Sequence, residues 1–203
     1  THTHTHTHLK PQLTDDYGAQ FIGLPSANNT ACPWLRRDFS LDDSVTPWGG
    51  LTMAYVASYG FHELYVNGMK VGDDVLSPSV SDLAKRVYVR AYNISGLLRY
   101  GQMNTVGLWL GPGWTQFTSV NPAVTNMFNT SKAPLALAAL RYHPDPRTAT
   151  NTTARTLVVT NGSWFGHPSS TRHIGLWKNS DFGGDRVDAR LDDPSWSQPT
   201  RPK

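Results

Sequence analysis

Residues 60–78, G-F-H-E-L-Y-V-N-G-M-K-V-G-D-D-V-L-S-P, decide how the chain reads. Two β-prone runs, residues 61–66 and 69–71, are separated by Asn67-Gly68. That dipeptide is the strongest short hairpin signal, because both central residues of a type I′ turn need positive φ, which Asn tolerates and Gly adopts freely. Asp73 and Asp74 follow, ahead of Ser77-Pro78. A turn amide and two carboxylates thus lie close together, a set able to brace a hairpin, hold a cation or bind a sugar.

Working outward, the same chemistry recurs. Upstream, residues 33–39 (P-W-L-R-R-D-F) alternate as a half-buried strand, and residues 51–59 form another strand candidate before the hairpin. Residues 17–23 are a short apolar segment, and Asp42-Asp43-Ser44 and Pro47-Trp48-Gly49-Gly50 are turn chemistry. Downstream, residues 85–92 (K-R-V-Y-V-R-A-Y) read as a strand with one wet face, and residues 93–98 as a helical turn or a loop. Residues 104–110 read as a buried strand ending at Gly111-Pro112-Gly113, a turn that presents Trp114. Residues 115–132 are polar and weakly patterned, which predicts a long loop or lid. Residues 133–143 are ambiguous: Ala and Leu favour a helix, whereas the pattern and its neighbours favour a strand, and the expectation is a strand. Residues 155–160 form a further strand candidate.

Short strands separated by turn signals, with no convincing amphipathic helix, predict an all-β fold: a jelly-roll-like β-sandwich in a single domain. Nothing repeats at a fixed period, which argues against a propeller or solenoid. The chain of 203 residues can bury a core without staples, and 38% hydrophobic residues with 11% aromatics indicate a folded globule. The net charge of +3 is spread along the chain, with no basic block, so nucleic acid is not an expected partner. No apolar run is long enough to span a bilayer.

Cys32 is the single cysteine, so no internal disulfide can form. Residues 1–8 alternate Thr and His and look like a purification tag, and they are set aside from fold and metal arguments. His62, His143, His167 and His173 show no ligand-like spacing. Glycosylation sequons begin at Asn28, Asn93, Asn129, Asn151 and Asn161. Chance produces sequons in a Thr/Ser/Asn-rich chain, but their density beside few Lys and one Cys leads to the expectation of a secreted, extracellular glycoprotein.

Taken in order, F-I-G, P-W-L-R-R-D-F, G-F-H-E-L-Y-V-N-G-M-K-V-G-D, L-G-P-G-W, G-S-W and G-D-R-V-D-A-R resemble the N-terminal β-sandwich domain of bacterial-type α-L-rhamnosidases, from about Tyr17 to Trp196. Some members of that family are classed as rhamnose-binding carbohydrate-binding modules. The resemblance implies a non-catalytic domain over residues 9–198, with residues 199–203 as tail or linker. It implies recognition of L-rhamnose or a rhamnose-containing polysaccharide beside a linked catalytic domain. It also implies calcium as a cofactor, since acid and amide oxygens of rhamnose-binding members hold that ion against sugar hydroxyls. The matching candidates are Asn67, Asp73 and Trp114 for sugar and Asn67, Asp73 and Asp74 for metal. Val66 and Pro112 stand where the family pattern often has polar residues.

Each candidate has a plainer alternative. Asn67 is what a type I′ turn demands. Asp73 and Asp74 suit a solvated loop, and Trp114 suits a sandwich core. Asp185, Asp188 and Arg190 read as a loop-bracing ion-pair network. The paired acids Asp15-Asp16, Asp42-Asp43 and Asp192-Asp193 are adjacent on turns, whereas a glycosidase needs two carboxylates facing each other across the scissile bond. No nucleophile elbow, zinc spacing or phosphate loop occurs, so the expectation is no enzyme. Two other functions remain open at this level: a structural domain packed on a catalytic domain without sugar binding, and a stand-alone secreted lectin.

Overall fold

The computed structural model of the chain describes residues 17–24, 27, 31–117, 119, 121–128, 133–174 and 184–191. The Asn67-Gly68 turn forms as its residues demand, with φ of 52° at Asn67 and 83° at Gly68. It joins strands β3 (Phe61–Val66) and β4 (Met69–Lys70), which pair antiparallel through Tyr65↔Lys70 and Val66↔Met69. Every second residue of β3 is buried, His62, Leu64 and Val66, as a strand with one face on a core requires.

The hairpin edges a five-stranded sheet of order β4-β3-β6-β1-β9, with β1 at Trp34–Ser40, β6 at Met103–Gly111 and β9 at Phe165–His167. A four-stranded sheet of order β5-β2-β7-β8 faces it, with β2 at Gly50–Tyr59, β5 at Val89–Asn93, β7 at Leu135–Pro144 and β8 at Arg155–Val159. Leu35, Leu64, Val66, Val106, Leu108 and Leu110 from the first sheet meet Ala54, Val56, Ala138, Leu140 and Val158 from the second in one core. All the pairings are antiparallel, and the expected β-sandwich is the observed fold. A two-stranded ribbon, β10 (Thr171–Ile174) with β11 (Gly184–Val187), lies outside both sheets and is tied to Ala31 by a bridge at Arg172.

The ambiguous stretch around β7 is a strand buried on both faces, Ala136 to Leu140 without a break. One face enters the core, and Leu137 and Ala139 on the other are covered by Ala19 with Tyr17 and Phe21. A strand covered on both sides loses its polar alternation, which is why its composition imitates a helix.

Two expectations are corrected. The strand read over residues 85–92 begins only at Val89, because the amides of Lys85 and Arg86 both donate to the Asp82 carbonyl in a turn. The loop or lid read over residues 115–132 contains a short helix, α1 (Pro122–Phe128). Asn121 caps it through Oδ1, accepting from the Ala123 amide at 2.9 Å, with Pro122 at the first helical position. The sequons at Asn28 and Asn129, the acid pairs Asp15-Asp16 and Asp192-Asp193, and the tail after residue 191 lie outside the described residues.

Candidate functional site

Asn67 is held by the fold on every side of its amide. Its Nδ2 donates to the Leu97 carbonyl at 2.7 Å and to Asn104 Oδ1 at 2.9 Å, while its Oδ1 accepts from the Thr105 amide at 3.0 Å. Asn104, fully buried, is itself tied to the Arg99 amide and carbonyl and to the Gln102 carbonyl. Asp74 is ion-paired with Arg90 of β5, and Asp73 is exposed on the loop beyond β4. Among the described residues no three His, Cys, Asp or Glu side chains converge as a metal set. With its amide oxygen engaged by Thr105 and Asp74 engaged by Arg90, the candidate set Asn67, Asp73 and Asp74 does not fit a calcium shell, which wants six to eight oxygens.

Trp114 stands at the other end of β3. β3 is six residues long and Phe61 pairs with Gly111, so Trp114 lies about 20 Å along the strand from Asn67. Its ring packs on Phe117 (centroids 5.1 Å) and Phe128 (5.5 Å), an aromatic cluster that seats α1. The hollow it shares with Gly60, Pro78 and Tyr88 is about 20 Å³, room for a water and not for a sugar ring. The fold therefore does not bring Asn67 and Trp114 together.

What it brings together instead is a cleft of about 290 Å³ where β3 begins and β6 ends. On the solvent side of the five-stranded sheet, alternation places Phe61 and Glu63 of β3 beside Trp109 and Gly111 of β6, with register Glu63↔Trp109 and Phe61↔Gly111. The ribbon supplies Thr171, His173 and Asp185 opposite, and Leu76 and Pro112 complete the wall. Trp109 is fixed by stacking on Trp34 (centroids 5.4 Å, planes 7° apart) and by its indole N–H donating to the Cys32 carbonyl at 3.1 Å. Glu63 accepts from Tyr65 Oη at 2.7 Å and from Lys70 Nζ at 2.5 Å, which orients its carboxylate. Asp185 Oδ1 lies 3.5 Å from His173 Nδ1. Asp188 and Arg190 form the expected local ion pair at 2.7 Å, whereas Asp185 joins the cleft wall.

Two potential reactive groups in the wall are disarmed. Burial pushes the Cys32 thiol up to about 11, so it stays protonated and is no nucleophile near neutral pH. His62 is buried, and desolvation holds its imidazole down at about 3. Ser58 Oγ, 2.8 Å from His62 Nδ1, donates to the Gly60 carbonyl, which leaves Nδ1 as the protonated ring nitrogen and Nε2 as acceptor from Tyr92 O–H at 3.0 Å. This neutral imidazole braces the two sheets together, with the His62 amide also donating to the Ser77 carbonyl at 2.7 Å.

The cleft residues come from separate stretches of sequence, around Cys32, Phe61, Leu76, Trp109 and the ribbon from Thr171 to Asp185, so alternation alone could not collect them. The one sequence signal was the in-phase set Phe61, Glu63 and Tyr65 flanking buried His62 and Leu64. No helix among the described residues is long and apolar enough to cross a membrane.

Residues 51–202 match the family described as Alpha-L-rhamnosidase N-terminal domain, and the chain belongs to that family. It is 28% identical over 194 residues to an alpha-L-rhamnosidase of Alteromonas sp. (strain LOR), covering 91% of this chain and 19% of that protein. The fold superposes on native alpha-L-rhamnosidase of Aspergillus terreus with TM-score 0.69 at 23% identity, over 94% of this chain and 20% of that one. It also superposes on the Streptomyces avermitilis alpha-L-rhamnosidase complexed with L-rhamnose, with TM-score 0.63 at 22% identity, over 84% of this chain and 16% of that one. The chain thus spans about a fifth of the length of the curated relatives it matches.

Proposed function

We propose that this α-L-rhamnosidase N-terminal domain is a non-catalytic sugar-binding module that takes an L-rhamnose unit in the cleft between Phe61, Trp109 and the β10–β11 ribbon. One observation carries the assignment: two aromatic rings and two carboxylates, Phe61, Trp109, Glu63 and Asp185, line a single cleft of about 290 Å³. Aromatic faces suit the C–H side of a pyranose, and carboxylates accept its hydroxyl protons. The volume is at the low end of the ~300–1,000 Å³ typical of small-ligand pockets, which suits a terminal sugar better than a long run. That relatives carry the name alpha-L-rhamnosidase, and that one was solved with L-rhamnose, supports the choice of sugar.

The binding we propose needs no calcium, since two of the three candidate ligands, Asn67 and Asp74, are engaged in holding the fold. Linked to a catalytic domain outside the cell, the module would raise the local concentration of enzyme on rhamnosylated polysaccharide. Calorimetric titration of the chain with L-rhamnose, in calcium and in chelator, tests this: equal heat in both supports it, and no heat at millimolar sugar in either overturns it.

A second role, packing on a catalytic domain without binding sugar, is favoured by the exposed side chains of Val75 and Val80, at 71% and 42%, near each other on the loop after β4. Under it, the native chain gives no heat with any sugar, and Val75→Ser with Val80→Ser weakens the contact with a catalytic domain added in trans.

A further inference from the structure

We infer that Leu76 is the specificity-determining residue of the proposed cleft, an apolar cap placed against the methyl group that distinguishes a 6-deoxyhexose from the corresponding hexose. The inference rests on the sugar-binding role proposed above and adds to it which part of the sugar is read.

Leu76 combines three properties that stability alone does not reconcile. Its φ is 53°, in the left-handed region where the Cβ of an L-residue crowds the following carbonyl. Among the described non-glycine residues the other positive φ belongs to Asn67, whose side chain tolerates that conformation and is hydrogen-bonded there. Leu76 is also 64% exposed, so burial does not offset the strain. Glycine or asparagine would satisfy the backbone better, and an exposed polar side chain would suit water better.

The third property is position: Leu76 lines the same cleft as Phe61, Trp109 and the ribbon residues Thr171, His173 and Asp185. The backbone on its C-terminal side is pinned by the Ser77 carbonyl accepting from the His62 amide at 2.7 Å, and on its N-terminal side by the Asp74–Arg90 ion pair. A strained residue persists where its surroundings over-determine it, and such residues cluster at ligand-binding sites. What the loop presents at this point is an isobutyl group in the same cleft as the Phe61 ring, and neither side chain carries a hydrogen-bonding group.

A methyl substituent can be buried against that surface without loss, whereas a hydroxymethyl group in the same place leaves a hydroxyl facing Leu76 and Phe61 with no acceptor. L-Rhamnose and L-mannose differ by that one hydroxyl. Apolar pockets discriminate weakly against an added hydroxyl, so the expected preference is about ten-fold.

The test titrates the native chain, Leu76→Asn and Leu76→Gly with L-rhamnose and L-mannose, and measures the Tm of each. The native chain should prefer L-rhamnose about ten-fold. Leu76→Asn should lose that preference, mainly by weaker L-rhamnose binding, while its Tm stays level or rises, because asparagine accepts the left-handed backbone. Leu76→Gly should do the same without adding a polar group, which separates loss of the apolar cap from gain of an amide. A lower Tm in both variants with the preference intact would make Leu76 structural and overturn the inference. Native binding of both sugars with equal affinity would overturn the role of Leu76 while leaving the sugar site standing. Binding of neither sugar would overturn the sugar site and the role of Leu76 with it.

Discussion

Asn67 and Asn104 face each other across the base of the β3–β4 turn, with Asn67 Nδ2 donating to Asn104 Oδ1 at 2.9 Å. The pair joins the hairpin tip to the start of β6, and the Thr105 amide closes the ring on Asn67 Oδ1. Asn67→Ala removes these bonds, takes the Asn67 donor from the Leu97 carbonyl and from Asn104 Oδ1, which is left with the Arg99 amide, and places a residue without a polar side chain at positive φ. The expected loss is about 2–3 kcal/mol, read by urea denaturation. Sugar heat should be unchanged once the variant is folded, since Asn67 lies four residues, about 13 Å, along the chain from Glu63, the nearest cleft residue of β3.

A calcium titration followed by thermal denaturation addresses the ligand set Asn67, Asp73 and Asp74. A site filled at a hundred times its Kd would stabilise the native state by about 2.7 kcal/mol, a shift of several degrees. The expected outcome is no shift in Tm. Asp73→Asn, at an exposed loop position, should likewise leave Tm and sugar affinity as they are.

Asp74 and Arg90 are partly exposed, with side chains 33% and 15% accessible. Solvent screening limits such a pair, so Asp74→Asn should cost about 1 kcal/mol or less and lose most of its effect in high salt. Denaturation of both proteins at low and high ionic strength checks this.

His62 sets a pH dependence with a definite sign. Its imidazole is held at about 3 in the folded chain against an ordinary 6.5, so the unfolded chain binds the extra proton first. The stability it permits is complete above 6.5 and falls as pH drops from 6.5 towards 3, by about 1.4 kcal/mol per pH unit. Urea midpoints between pH 7 and 4 should decline accordingly, and the His62 ring resonances should not titrate in that range. His62→Gln should flatten the slope.

Gly113 has φ of 49°, and a Cβ there would stand 2.7 Å from the Phe61 ring. Gly113→Ala should push Phe61 into the cleft and weaken sugar binding several-fold, at a stability loss of about 1–2 kcal/mol from the left-handed backbone. Calorimetry and denaturation on the same sample separate the two effects.

What the sequence determined by itself is what depends on neighbours in the chain. Asn67-Gly68 dictates the turn because positive φ is a local demand, and the alternation of His62, Leu64 and Val66 with Phe61, Glu63 and Tyr65 dictates which side of β3 is wet. The order of the short motifs likewise carried the family. Local rules failed where tertiary contacts supplied the reason, as at α1, whose hydrophobic seat is the Trp114 ring, and at β5, shortened by the Asp82 turn. The site was the least legible part. Asn67 and Trp114 are both conspicuous in sequence, yet strand register sets them at opposite ends of β3. The same register, with the ribbon folded across it, gathers Phe61, Glu63, Trp109 and Asp185 around one cleft. A hydrogen-bond ladder fixes distances between residues far apart in the chain, and no property of the residues taken singly contains that information.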